Sequence, residues 1–234
     1  MKWTIFDYNQ RAMLTKTEKS FSLLFIFLLA LEIITSIFKH LQIFNYITKP
    51  ALLISLILFF WKQSSHLEKK MKLLIILALI CSLFGDILLM FTNHSAYFFM
   101  GGLLAFLTAH IFYVLVFLKQ RSKSKKGWVF MGLMLVYGAL LFYFLKDGLN
   151  NLLYPVIIYM IVILSMATTA FLRQGQVAKN SYILVFVGAI LFMISDSILA
   201  LNKFYQPLPF TDFCIMFTYG FAQLFIVLGL LKQP

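Results

Sequence analysis

The run Leu73-Leu74-Ile75-Ile76-Leu77-Ala78-Leu79-Ile80-Cys81-Ser82-Leu83-Phe84-Gly85-Asp86-Ile87-Leu88-Leu89-Met90 contains one charged residue in eighteen. With its flanks it reaches the roughly 20 mostly apolar residues that a membrane-spanning helix needs. A second run, Leu191-Phe192-Met193-Ile194-Ser195-Asp196-Ser197-Ile198-Leu199-Ala200, places another aspartate in the same kind of setting. A carboxylate at membrane depth costs about 2.5–3.5 kcal/mol on insertion scales, so it persists mainly where it has a task. The chain has five aspartates and three glutamates in all. Two of them inside apolar helices are the leading candidates for chemistry.

The rest of the sequence agrees with a polytopic membrane protein. It is 62% hydrophobic and 12% charged, with 27 Phe among 234 residues, and its mean hydropathy is +0.92. A soluble domain of this length would need far more polar surface. Eight segments are expected to span: 21–38, 46–61, 72–91, 96–118, 127–145, 152–172, 182–200 and 210–231. Residues 1–20 read as a basic cytoplasmic segment ahead of an uncleaved first span, because no small-residue cleavage site follows the apolar run. Cys81 and Cys214 fall in apolar segments and read as small core residues, not as a disulfide or a metal framework.

The net charge of +12 is distributed by loop, which argues for topology and against a nucleic-acid partner. Sixteen Lys and Arg fall on one side of the eight-span scheme, and Lys39, Lys146 and Lys203 on the other. The positive-inside rule then puts both termini in the cytoplasm, with the basic loops also attracting anionic membrane lipid. The expected localisation is multi-pass in a bacterial inner membrane.

Aligning Asp86 with Asp196 gives an offset of 110 residues, and Ala109–Leu115 then resembles Ala222–Leu228 at a nearby offset. Pro50 and Pro155 fall opposite each other near the starts of their helices, where proline is best tolerated. The fold class is therefore all-α: eight transmembrane helices in one integral membrane domain, built as a parallel 4+4 repeat of 21–118 and 127–231. In that scheme Asp86 and Asp196 lie at matching depth in the outer half of the bilayer and face one cavity.

Other polar residues accompany them. Lys49, at the outer start of the second helix, is a candidate phosphate anchor or counter-charge, against snorkelling. Tyr154 and Tyr159 occupy the outer half of the sixth helix. Asp212, Met216, Tyr219 and Gln223 line one face of the eighth, as site groups or interhelical hydrogen bonds. His110 reads first as a packed, hydrogen-bonded core residue and second as a site group. Ser82 and Ser195 read as hydrogen-bonding supports for the aspartates. Glu32 is a third intramembrane acid, belonging to the cavity or to a structural pair. The four histidines do not provide three ligands at one depth, which argues against a zinc hydrolase. Two classes fit this inventory: an enzyme with paired carboxylates as acid and base, or a proton-coupled transporter of lipid or a small molecule.

Five short motifs occur in order: Thr48-Lys49-Pro50, Gly85–Met90, Phe106–Tyr113, Ser195–Ala200 and Tyr219–Gln223. Together they resemble the YhhN-like lysoplasmalogenase family across helices two to eight; the first 45 residues match no motif. The resemblance implies an eight-helix membrane hydrolase without metal or organic cofactor. Its substrate would be a lysophospholipid with a vinyl ether bond, cleaved to a fatty aldehyde and glycerophosphocholine or glycerophosphoethanolamine. Asp86 and Asp196 match the family's membrane aspartates and would be its catalytic pair.

Overall fold

A computed structural model describes residues 14–122 and 126–233. Eight long helices account for most of them: α1 Lys16–Ile37, α2 Gln42–Gln63, α3 Lys69–Met90, α4 Ala96–Leu118, α5 Lys126–Leu145, α6 Leu153–Phe171, α7 Lys179–Phe204 and α8 Thr211–Leu231. All eight are long and apolar enough to cross a membrane. Leu133, Val136 and Leu140 on α5, like Leu23 and Phe27 on α1, are exposed large hydrophobics, as a lipid-facing belt requires.

Three boundaries differ from the sequence reading in ways that matter. α1 starts at Lys16 because Thr15 and Glu18 form a capping box: the Glu18 amide donates to Thr15 Oγ1 at 3.2 Å, and the Thr15 amide donates to Glu18 Oε2 at 2.7 Å. Such reciprocal bonds satisfy two of the free amides at a helix start, so residues 16–20 are helical and not part of a separate basic segment. Residues 1–13 lie outside the described residues, and with them Lys2 and Arg11. Lys123 and Lys125 of the counted cations also lie outside them. α2 starts four residues earlier than expected, after the one-turn 3₁₀ helix Lys39–Leu41. Pro50 is therefore the ninth residue of α2 and not near its start, where it deprives the Tyr46 carbonyl of its helical donor. Lys49 is moved into the body of the helix with it. α7 extends to Phe204, so Asp196 lies eight residues from its helix end and Asp86 four from the end of α3.

α8 is the central element: two-thirds of its span is buried, against 17% for peripheral α5. The closest packing joins α3 to α4 and α7 to α8. Membrane helices gain contact where small residues let backbones approach, and Gly188 does this on α7. A Cβ there would meet the Ala222 carbonyl oxygen at 2.9 Å and the Ile226 amide at 3.0 Å. Further contacts join α1 with α2, α2 with α3, α5 with α6, α6 with α7, α4 with α6, and α8 with both α1 and α2.

The start of α1 and the end of α8 meet, with Lys232 Nζ donating to Glu18 Oε2 at 3.2 Å. At the opposite end, Asn202 Oδ1 accepts from the Leu208 amide at 3.0 Å and from Thr211 Oγ1 at 3.1 Å. This clasp fixes the α7–α8 turn and thereby the start of the helix that presents Asp212 and Tyr219.

Candidate active site

A polar chamber of about 1230 Å³, counting its open mouth, lies between α1, α2, α3, α4, α7 and α8. Lys49, Asp86, Ser195, Asp196, Asp212 and Tyr219 all line it. A narrow apolar slot, about 590 Å³ when its open mouth is counted, adjoins it, walled by α4, α5, α6 and α7 with Leu89 of α3. Asp196, Leu89, Phe99, Phe106 and Leu199 border both spaces. Asp196 is thus the carboxylate at the junction of a wet compartment and a greasy one.

The two aspartates have different surroundings. Asp86 is 2% exposed. It accepts the Tyr219 hydroxyl at 2.8 Å and faces Lys49 Nζ at 3.9 Å. The tyrosine is positioned from behind: Tyr113 Oη donates to Gln223 Oε1 at 2.8 Å, and Gln223 Nε2 donates to Tyr219 Oη at 3.4 Å. A chain of polar groups from α4 through α8 therefore ends on the Asp86 carboxylate. Such relays fix rotamers in a low-dielectric interior.

Asp196 receives the Tyr159 hydroxyl on Oδ2, and its side chain is 14% exposed. Among the described residues no lysine or arginine pairs with it; its ionisable neighbour is His110, whose Nε2 lies 3.8 Å away. His110 packs edge-on against Tyr159 and Phe192, with centroids 5.4 and 4.6 Å apart. Neither of its ring nitrogens has a hydrogen bond, so it is packed but not hydrogen-bonded, and its position beside Asp196 ties it to the site.

Most of the expected site residues converge here, but Tyr154, Ser82, Ser195 and Gln223 do not act as expected. Tyr154 is 76% exposed and lines neither space, because the α6 register that turns Tyr159 inward turns Tyr154 out. Ser82 is fully buried but its hydroxyl bonds to nothing, so it does not support Asp86 by a hydrogen bond. Ser195 donates to the Ile215 carbonyl at 3.1 Å, which ties α7 to α8 instead of holding Asp196. Gln223 and Tyr113 are buried behind the site, not in it.

Sequence reasoning missed Lys203, Asn45 and Tyr46, all on the chamber wall. From sequence Lys203 reads only as a loop charge, because the apolar stretch ends near residue 200. Phe106 enters the sequence reading only within a motif, yet its ring meets both Phe192 and Tyr219 edge-on, at 6.2 and 5.8 Å. No amphipathic signal could have found it, since α4 is apolar on every face.

A family model described as YhhN matches residues 44–230, which is α2 through α8. The chain belongs to the YhhN family. The motifs quoted from the sequence all fall inside that match, and the unmatched N-terminal region lies outside it. Among curated relatives, the human protein named lysoplasmalogenase TMEM86B is 33% identical over 157 residues, covering 67% of this chain and 63% of that protein. The human protein named lysoplasmalogenase TMEM86A is 32% identical over 160 residues, covering 68% and 65%. The pig protein named lysoplasmalogenase TMEM86B is 31% identical over 158 residues, covering 67% and 63%. This YhhN-family chain thus spans a little under two thirds of the length of the curated relatives it matches. No solved structure matches it.

Proposed function

We propose that this YhhN-family protein is an ether hydrolase, a lysoplasmalogenase, and that Asp86 and Asp196 carry the reaction. The observation that carries the reading is the junction: one carboxylate bordering an apolar slot and a polar chamber, with a second in the same chamber. A single-chain alkenyl lipid has this division of properties. Its hydrocarbon tail suits the slot, its phosphate suits the Lys49 and Lys203 side of the chamber, and its vinyl ether falls between them, at Asp196. The names of the curated relatives support the same activity.

The chemistry follows from the different neighbours of the two acids. Asp86 has a lysine counter-ion and a hydroxyl donor, the setting of a working carboxylate. Asp196 borders the apolar slot without a lysine against it, and is assigned as proton donor. Asp196 transfers its proton to the β-carbon of the vinyl group, and the ether oxygen's lone pair completes an oxocarbenium ion at the α-carbon. Water adds to that carbon and loses a proton to Asp86, giving a hemiacetal. The C–O bond to glycerol then breaks: the glycerol oxygen takes the Asp86 proton and the hemiacetal hydroxyl returns its own to Asp196. Both carboxyls are restored, and aldehyde and glycerophospho-headgroup leave. This resembles the paired-carboxylate logic of glycosidases, which also pass through an oxocarbenium-like state.

The described chain ends share one side, and the positive-inside rule applied to the basic loops of the sequence supports cytoplasmic termini; the site is then assigned to the outer half of a bacterial inner membrane. The helix contacts support the parallel repeat: α1–α2 corresponds to α5–α6, α2–α3 to α6–α7, and α3–α4 to α7–α8.

The test is hydrolysis of lysoplasmenyl lipid by purified protein in D₂O enriched in H₂¹⁸O, with the aldehyde trapped at once. The expected product carries one deuterium beside the aldehyde carbon and the solvent oxygen on it. Proton-coupled flux in liposomes without aldehyde release would instead favour a transporter.

A further inference from the structure

One wall of the chamber, apart from Lys49, has no part in the steps above. It is built by α1 and α2, and its centre is Glu32, which is fully buried and lines the chamber. Asn45 Nδ2 donates to Glu32 Oε1 at 3.2 Å, while Glu32 Oε2 has no partner. Lys49 acts on Glu32 through space but its ammonium lies against Asp86, and among the described residues no cation is within ion-pair distance of Glu32. A buried carboxylate with a free oxygen is costly unless a cation or donor reaches it. Glu32 lines the chamber, so a ligand there is positioned to bring the missing cation or donor.

The neighbouring groups indicate which cation. Ser36, Gln42 and Asn45 line the chamber beside Glu32, and the Ser36 hydroxyl, which donates to the Ile33 carbonyl at 2.9 Å, keeps lone pairs free to accept. A primary ammonium brings three N–H donors and is matched by a carboxylate with oxygen acceptors around it. A quaternary ammonium has no N–H and is held by stacked aromatic faces, of which this wall offers only Tyr46. We propose that Glu32 receives the primary ammonium of an ethanolamine headgroup and makes the chamber selective for ethanolamine over choline lysolipids. The phosphate, two carbons away, then meets Lys49 or Lys203. The substrate class rests on the lysolipid reading above; the residue does not, since Glu32 lies outside the segment the family model matches.

The experiment uses saturated 1-alkyl lysolipids, which lack the vinyl bond and cannot be hydrolysed. Binding of the phosphoethanolamine, phosphocholine and phosphate-only forms is measured on purified wild type and Glu32→Gln. A charge-assisted hydrogen bond of this kind corresponds to about tenfold or more in affinity. Wild type is therefore expected to prefer the ethanolamine lipid by at least that factor. Glu32→Gln should bring the two zwitterionic lipids within about threefold of each other and leave the phosphate-only lipid unchanged. Equal binding of the two by wild type overturns the proposal, as does an equal loss of all three lipids in the variant. Aldehyde release from the alkenyl lipid is scored separately: discriminating binding without it refutes the hydrolase reading and leaves the role of Glu32 standing.

Discussion

Gly85 sits directly before Asp86, and its missing side chain makes room for Phe106. A Cβ at this position would lie 2.6, 2.7 and 3.1 Å from three atoms of the Phe106 ring, where ordinary contact begins at 3.4 Å. Gly85→Ala therefore forces the ring away by most of an ångström. The ring has little freedom, because Phe192 and Tyr219 stand edge-on to it. Its displacement bears on Tyr219, whose hydroxyl holds Asp86. Overpacking of this size costs about 1–3 kcal/mol of stability, which leaves the protein folded. A misplacement near 1 Å at a reacting group costs on the order of a hundredfold in rate. The expected result is a modest loss of thermal stability with kcat for aldehyde release down about tenfold to a hundredfold. Phe106→Leu vacates the ring's space, so adding Gly85→Ala to that background should cost little, giving strongly non-additive effects. Unchanged kcat in Gly85→Ala, or full additivity in the double variant, refutes the coupling of Gly85, Phe106 and Tyr219.

Tyr159→Phe removes the hydroxyl that Asp196 accepts but keeps the ring against His110. With a hydrogen bond to a charged or reacting group contributing about 1.5–3 kcal/mol, steady-state kinetics should show kcat falling roughly tenfold to a hundredfold with KM little changed. Lys49→Met removes the counter-ion of Asp86; both kcat and apparent affinity for phosphate-bearing lipid should fall, and Lys49→Arg should restore part of each. Ala200 lines the apolar slot, so Ala200→Leu shortens it. At about 0.8 kcal/mol per buried methylene, KM for long alkenyl chains should rise about tenfold while short chains are unaffected, as a chain-length series would measure.

The eight spans and the two acids were legible because they rest on composition: apolar runs of membrane length, and carboxylates where carboxylates are costly. Boundaries were less so. α1 begins at a capping box whose Thr15-x-x-Glu18 spacing is present in the sequence but was masked by Lys16 and Lys19, and α7 outlasts its apolar stretch by carrying Asn202 and Lys203 into the α8 clasp. Placing Lys49 at a helix start came from giving Pro50 its commonest position, whereas membrane helices tolerate internal proline. The residues that position the site were legible only in part. Gln223 shows in the sequence on the Asp212–Tyr219 face of its helix, but only tertiary packing shows that it meets Tyr113 of α4. Ser82 and Ser195 were misread for the same reason: proximity in sequence to an aspartate says nothing about where a hydroxyl points. Glu32 was visible as a third buried acid, but its free oxygen and its place on the chamber wall depend on how α1 leans on α2.

The central claim is that two carboxylates with unequal neighbours divide one reaction between them. It is tested most directly by initial rates of aldehyde release from lysoplasmenyl-ethanolamine by purified wild type, Asp86→Asn and Asp196→Asn, each confirmed folded. Each substitution is nearly isosteric and removes the carboxylate's charge together with its capacity to exchange a proton, and general acid–base groups contribute about 10²–10⁴-fold. Both variants are expected to lose at least a hundredfold in kcat by that measure. Wild-type turnover in either variant contradicts the account.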